Sequence, residues 1–183
     1  MLTVNQLTFD YFDKPLLHDV SFTLNPGEGL WIKGENGRGK TTLLKLLASL
    51  LTPLSGEFTL PPLMYIGHLL ALSPLLTVYE TLYFDPMRTI PDGNISEILT
   101  TLNLNADLPC RLLSSGQKKR ISLAKLLLSQ TALWLLDEPF VALDEQGMAW
   151  LNGLIQQHLN QGGLVILTSH QPLSGLSLKE YTL

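Results

Sequence analysis

With 183 residues and 45% hydrophobic side chains, the chain is long enough for one globular domain with a small inserted lobe, burying roughly 70% of its unfolded surface. A net charge of -4 and a pI near 5.5 argue against the basic footprint of a nucleic-acid binder, and Lys118, Lys119 and Arg120 are too short a run to reverse that. Mean hydropathy of +0.20 is high for a soluble chain and predicts some apolar surface for a partner, but the longest apolar stretch, residues 63–82, is broken by Gly, His, Ser, Pro, Thr and Glu, so no membrane-spanning helix is expected.

The amino terminus lacks the basic start and apolar core of a secretory segment, which predicts a cytosolic chain. Residues 2–9 and 20–24 alternate apolar and polar side chains and read as paired strands at one edge, with His18-Asp19 and Asn25-Pro26-Gly27 as punctuation. Tyr11 lies between these strands, upstream of the next motif; it is either an aromatic ring for stacking on adenine or a half-buried sheet residue.

Residues 30–33 form a predicted short strand, followed by Gly34, Glu35, Asn36, Gly37, Arg38, Gly39, Lys40, Thr41 and Thr42, and then leucines at helical spacing over 41–51. Strand, glycine loop and helix in this order form the setting of a phosphate loop. The glycines let backbone N–H groups approach phosphate oxygens, and the helix N-terminus adds partial positive charge. Lys40 then reaches the β- and γ-phosphates of a nucleotide triphosphate, and the Thr41 hydroxyl ligates Mg²⁺. An incidental glycine-rich turn is the competing reading, and the flanking strand and helix weigh against it.

After a turn over 52–56, short strands are predicted at 57–60 and 63–66 around Pro61-Pro62. From 69 to 112 the pattern changes to short helices, 78–84 and 95–102, read as an inserted helical lobe. The apolar run 69–76 within it is either the lobe's own core or the groove for a helix of a membrane partner. Cys110, the only cysteine, excludes an internal disulfide and is read as a passive thiol.

A helix over 115–129 follows, with Ser114 and Ser115 as candidate caps. Residues 132–136 form a continuous apolar run, as in a parallel strand covered on both faces, ending in Asp137-Glu138-Pro139. Asp137 would emerge at the carboxyl edge of the sheet to hold Mg²⁺, and Glu138 would activate the attacking water. A surface turn with incidental acids is the alternative. A helix over 145–161 stops at Gly162-Gly163, and the apolar strand 164–167 ends at Thr168-Ser169-His170, where His170 would bond the γ-phosphate or serve only structure. A last edge strand is expected in the tail. Alternating strands and helices predict an α/β sheet with ligands at the carboxyl ends of its strands.

Together, residues 34–42, the stretch Leu113-Ser114-Ser115-Gly116-Gln117, residues 133–138, Ala142-Leu143-Asp144 and His170 resemble the Walker A, signature, Walker B, D-loop and H-loop motifs of the ATP-binding cassette (ABC) ATPases. The resemblance covers nearly the whole chain. It implies a P-loop NTPase of ABC-ATPase fold, with a mixed parallel sheet core, an antiparallel β edge and a helical subdomain at 69–112 inserted in a catalytic core of 1–68 and 113–183. It also implies a head-to-tail dimer with a second copy, in which Ser114, Ser115, Gly116 and Gln117 of one chain close over ATP on the Lys40 loop of the other.

A narrower likeness, in residues 132–140 and 162–173 and in Ile66-Gly67-His68, is to the heme-exporter ATP-binding subunits of bacterial cytochrome c maturation. That likeness implies a peripheral protein on the cytoplasmic face of the inner membrane, hydrolysing ATP for an integral subunit of the CcmB type, with no nucleic-acid partner and no direct heme binding. A cassette serving another cargo is the alternative, and a soluble regulatory cassette fits poorly with a chain of this size. Two departures stand out. Ser115 replaces the first of two signature glycines, and His68-Leu69 occupies the usual Q-loop position, where His68 would substitute as a donor to water.

Overall fold

The computed structural model describes residues 1–11, 14–170, 173 and 175–183; Gln171 and Pro172, within the stretch 162–173, lie outside them. These residues form two compact units, one of Met1–Gly67, Thr131–Pro139 and Trp150–Leu183, the other of His68–Gln130 and Phe140–Ala149.

The first unit holds two sheets. Strands β1 (Leu2–Tyr11), β2 (Lys14–Leu24) and β4 (Ser55–Thr59) pair antiparallel in the order β2-β1-β4. Strands β3 (Gly29–Lys33), β5 (Leu63–Ile66), β6 (Leu133–Leu136), β7 (Leu164–Thr168) and β8 (Lys179–Thr182) form a second sheet in the order β5-β6-β7-β3-β8, every pair in it parallel. The antiparallel strands thus have a sheet of their own, separate from the parallel one. The chain passes from the first to the second after β2, over residues 25–28, and again after β4 at Pro61-Pro62, where two residues without N–H donors cannot continue a ladder. The expected tail strand is present as β8, at the edge.

His18-Asp19, expected between strands, lies inside β2, where Asp19 has φ +49 and the register with β1 shifts between Leu7 and Phe9. A bulge absorbs the turn-forming pair without ending the strand. On β1, Leu2, Val4, Leu7 and Phe9 are buried, and a second register shift between Val4 and Leu7 keeps both halves facing inward. All four residues of β6 and all five of β7 are buried, as continuous apolar strands with both faces covered must be. One cluster of buried side chains joins the antiparallel sheet (Leu2, Val4, Leu24), helix α1 (Lys40–Leu47; Leu43, Leu44, Leu46 and Leu47) and the parallel sheet (Ile32, Leu135, Ile166). Truncating Leu44 to Ala in such a setting costs about 2–5 kcal/mol.

Helix α1 ends earlier than the leucine spacing predicts. Ser49 turns left-handed (φ +56), its N–H donates to the Leu46 carbonyl and that of Leu50 to the Lys45 carbonyl, both at 2.9 Å. These paired bonds are a Schellman closure, and they leave Leu50 exposed.

The second unit contains α2 (Val78–Tyr83), α3 (Gly93–Thr101) and α4 (Ser115–Ala124), with buried Val78, Leu82, Ile95, Leu99, Ile121 and Leu123. Thr77 caps α2 reciprocally with Glu80, and Ser114 caps α4 reciprocally with Gln117, so at each amino terminus the N–H of the cap residue and that of the third helical residue are satisfied. Helix α4 stops short of residue 129: over Lys125–Leu127 the backbone tightens to a 3₁₀ turn, a usual ending for a last helical turn. Helix α5 (Glu145–Asn160) follows Ala142-Leu143-Asp144. None of residues 69–76 is fully buried, and Leu69 and Leu75 are 88% and 81% exposed, so this run is not the core of the lobe.

Candidate active site

The phosphate loop joins β3 to α1. Gly34, Gly37 and Gly39 all have positive φ (+146, +85 and +93), a region that disfavours any side chain. Gly39 is also held small by packing, since a Cβ there would lie 2.8 Å from the Leu17 side chain. Lys40 is 7% exposed; its ammonium donates to the carbonyls of Gly34 (2.7 Å) and Glu35 (3.0 Å), so the side chain arches back over the loop. Glu35 and Arg38 pair loosely at 3.7 Å, Asn36 is exposed, and Thr42 is buried beneath the helix start.

Asp137 follows β6 and is 1% exposed. Its N–H donates to the Ile66 carbonyl at 2.9 Å, which extends the β5–β6 ladder by one bond and sets the carboxylate at the strand ends. There the Thr41 hydroxyl lies 2.9 Å from Oδ2 and 3.1 Å from Oδ1. Tyr65 senses this carboxylate: its phenol is pushed up to about 12, first by burial and then by the negative charge of Asp137.

Glu138 has φ +47, a left-handed conformation that costs a residue with a Cβ of order 1 kcal/mol. Its Oε1 lies 3.2 Å from His170 Nε2, and its Oε2 accepts the His170 backbone N–H at 3.3 Å. The segment before His170 is tied to β3 by the Trp31 indole, which donates to the Ser169 carbonyl at 3.2 Å. Thr41, Asp137, Glu138 and His170, separated by as many as 129 positions, are therefore joined within one unit through two neighbouring pairs.

Thr168 belongs to this group and was not among the residues expected from sequence. It is fully buried, and its hydroxyl donates to Asp137 Oδ1 at 2.8 Å while accepting the Glu138 N–H at 2.9 Å. The available signal was its position, a hydroxyl closing an otherwise wholly apolar strand. Tyr11 is 41% exposed and meets Phe9 edge to face, with ring centroids 4.9 Å apart, so part of its ring is free for contact.

In the second unit, exposed Ser114 and Ser115 start α4. A Cβ on Gly116 would lie 3.0 Å from the Ala142 carbonyl, which explains why glycine serves there. Asp144 caps the first turn of α5, accepting the Gly147 N–H at 2.8 Å, and receives the Arg120 guanidinium on both oxygens, at 2.6 and 2.5 Å. These two contacts, in that order, hold its carboxyl below the usual range. His68 is exposed at the start of the unit.

A parallel sheet that carries a left-handed glycine loop with a buried lysine, facing a hydroxyl–carboxylate pair, defines a phosphate-loop nucleotide hydrolase. The family model described as ABC transporter matches residues 17–141, and the chain belongs to that family. It is similar along its whole length to the cytochrome c biogenesis ATP-binding export protein CcmA of Legionella pneumophila (strain Lens), 43% identical with 100% of each chain covered. The CcmA protein of Escherichia coli O157:H7 is 40% identical over 95% of this chain and 91% of its own. Among solved structures, an ABC transporter ATP-binding protein from Pyrococcus furiosus superposes with a TM-score of 0.85 at 27% identity, covering 100% of this chain and 96% of that one.

Proposed function

We propose that the chain is the ATP-hydrolysing subunit of a transporter complex in cytochrome c biogenesis, where it powers heme export or delivery. The observation that carries the catalytic reading is the 2.9 Å bond from Thr41, on the phosphate-loop helix, to Asp137, with Glu138 next in the chain and 3.2 Å from His170. Full-length similarity to the CcmA proteins supports the pathway.

In this reading the loop N–H groups and Lys40 bind the phosphates of ATP, Lys40 exchanging its bonds to the Gly34 and Glu35 carbonyls for phosphate oxygens. Tyr11 stacks on the adenine. Thr41 and Asp137 offer the hard oxygen donors that suit Mg²⁺. Held by Thr41 and Asp137, Mg²⁺ would supply charge neutralisation at the phosphate oxygens. Glu138 accepts a hydrogen bond from the attacking water and takes its proton as the water oxygen bonds to the γ-phosphorus and the bridging P–O bond to ADP breaks. His170, beside Glu138, orients that carboxylate and reaches the γ-phosphate.

Closure of the site needs a second copy. Ser114, Ser115, Gly116 and Gln117 lie at the amino-terminal end of α4, where N–H groups and the helix dipole suit a phosphate, and they act on ATP held by the partner's loop. Asp144 shapes the D-loop beside them. In this reading the subunit is peripheral at the cytoplasmic face of the inner membrane; no helix among the described residues is long and apolar enough to cross a membrane. Exposed Leu69 and Leu75 suit a helix of an integral subunit of the CcmB type, with His68 at the entry to that segment.

The test is Glu138→Gln in purified protein and in membranes. Hydrolysis should fall by at least about a hundredfold while ATP binding persists, as expected for loss of a general base. The ATP-trapped variant should also copurify an integral subunit of the cytochrome c maturation system. Unchanged hydrolysis overturns the role of Glu138, and capture of a different transporter's membrane subunit overturns the pathway.

A further inference from the structure

Two adjacent carboxylates at the end of a buried strand need different orientations, one toward the phosphate-loop helix and one toward His170. The backbone of Glu138 makes that divergence. Its left-handed conformation (φ +47) turns the chain immediately past Asp137, so that Glu138 leaves the line of β6 and reaches His170. A conformation disfavoured for a residue with a Cβ persists only where neighbouring groups hold it.

Thr168 is the group that does so. Leu136 pairs with Leu167, which sets Thr168 next in register beside Asp137. A hydroxyl has one proton to give. Thr168 gives it to Asp137 Oδ1 (2.8 Å) and uses a lone pair to accept the Glu138 N–H (2.9 Å). Asp137 is meanwhile approached by the Thr41 hydroxyl, 2.9 Å from its other oxygen. One fully buried side chain thus fixes both the rotation of the Asp137 carboxylate and the backbone turn at Glu138.

We infer that Thr168 is a positioning residue for ATP hydrolysis, a hydroxyl joint that couples the Asp137 carboxylate to the backbone turn aiming Glu138 at His170. The inference rests on the hydrolytic reading of Asp137 and Glu138. Thr168 touches neither the phosphates nor the attacking water in this role; it acts through the two acids. Valine has nearly the same shape and lacks the hydroxyl, so it would keep the packing of β7 while leaving the Glu138 N–H without its acceptor and Asp137 without one donor.

The experiment compares Thr168→Val and Thr168→Ser with the parent protein by steady-state ATP hydrolysis and by amide hydrogen exchange of the nucleotide-free protein. Thr168→Val should lower kcat by roughly tenfold to a hundredfold, the size of a lost charge-assisted bond, and leave KM for ATP within about threefold. Thr168→Ser should restore most of kcat. The Glu138 amide should exchange faster in the valine variant and remain protected in the serine variant, while amides elsewhere in β6 and β7 are unaltered.

Parental kcat together with a protected Glu138 amide in Thr168→Val overturns the inference, and so does a loss in which serine fails as badly as valine, since packing alone would then explain it. If Thr168→Val does not fold, Thr168→Cys replaces the hydroxyl by a weak donor of similar size: behaviour like valine supports the joint, and behaviour like serine overturns it. Absence of hydrolysis in the parent protein would sink the catalytic reading itself, and exchange at Glu138 would still decide whether the joint exists.

Discussion

The imidazole of His158, on α5, lies flat on the indole of Trp134, on β6, with ring centroids 3.7 Å apart and planes 6° from parallel. Neither Trp134 Nε1 nor His158 Nε2 has a hydrogen-bond partner among the described residues, so the pair is held by stacking and by exclusion of water. Trp134 sits three positions before Asp137, which links this contact to the strand that ends in the Asp137 carboxylate.

Protonation of His158 would place a second N–H in the same dry space. Burial, the largest influence, holds its pKa below the ordinary imidazole value, and backbone groups at Ala132 and Leu164 oppose it more weakly. The folded chain therefore binds this proton less readily than the unfolded chain. The resulting stability is present above the ordinary value of about 6.5 and is lost as the pH falls through it toward the lower folded value. Thermal unfolding of the parent should show this acid-side loss, and His158→Phe, which keeps a stacked ring without a titrating group, should remove that component.

Gly163 makes room for the same ring. A Cβ at this position would lie 2.3 Å from His158 Nε2, although no left-handed backbone demands glycine there. Gly163→Ala should destabilise the chain by about 1–3 kcal/mol through overpacking. Combined with His158→Ala the cost should shrink, because the obstructing ring is gone; a double-mutant cycle by denaturant unfolding measures that coupling.

Lys40 spans the phosphate loop with bonds of 2.7 and 3.0 Å to two carbonyls, which the proposed function has it exchange for phosphate oxygens. Lys40→Ala should weaken ATP binding by roughly tenfold to a hundredfold, the range for a charged hydrogen bond. Calorimetric titration with ATP checks this, and circular dichroism should show the fold intact.

Leu75 is 81% exposed. Leu75→Glu should therefore change stability by less than about 0.5 kcal/mol, the usual range for a surface site. Recruitment to membranes should fall, as read by sedimentation with vesicles that contain the integral subunit. Unchanged recruitment of a folded variant would overturn the docking role of this run.

Much of the site was legible in the chain because its parts are local patterns. The glycines, Lys40 and Thr41 stand together between a strand and a helix, and Asp137, Glu138 and His170 each follow an apolar strand, so sheet topology alone sends them to one edge. The apolar character of β6 and β7 likewise announced strands covered on both faces. Composition and periodicity could not announce contacts made across the fold. The Schellman closure of α1 depends on Ser49 adopting φ +56, the bulge at Asp19 on pairing with β1, and the separation of the sheets on what β4 meets. The joint at Thr168 and the stack of His158 on Trp134 join residues 31 and 24 positions apart, through neighbouring strands and a helix that returns over one of them. Sequence by itself determined which chemical groups the protein owns and the strand ends that carry them; tertiary structure decided their bonds, because a hydroxyl or an imidazole acquires its partner only when burial removes water as the competitor.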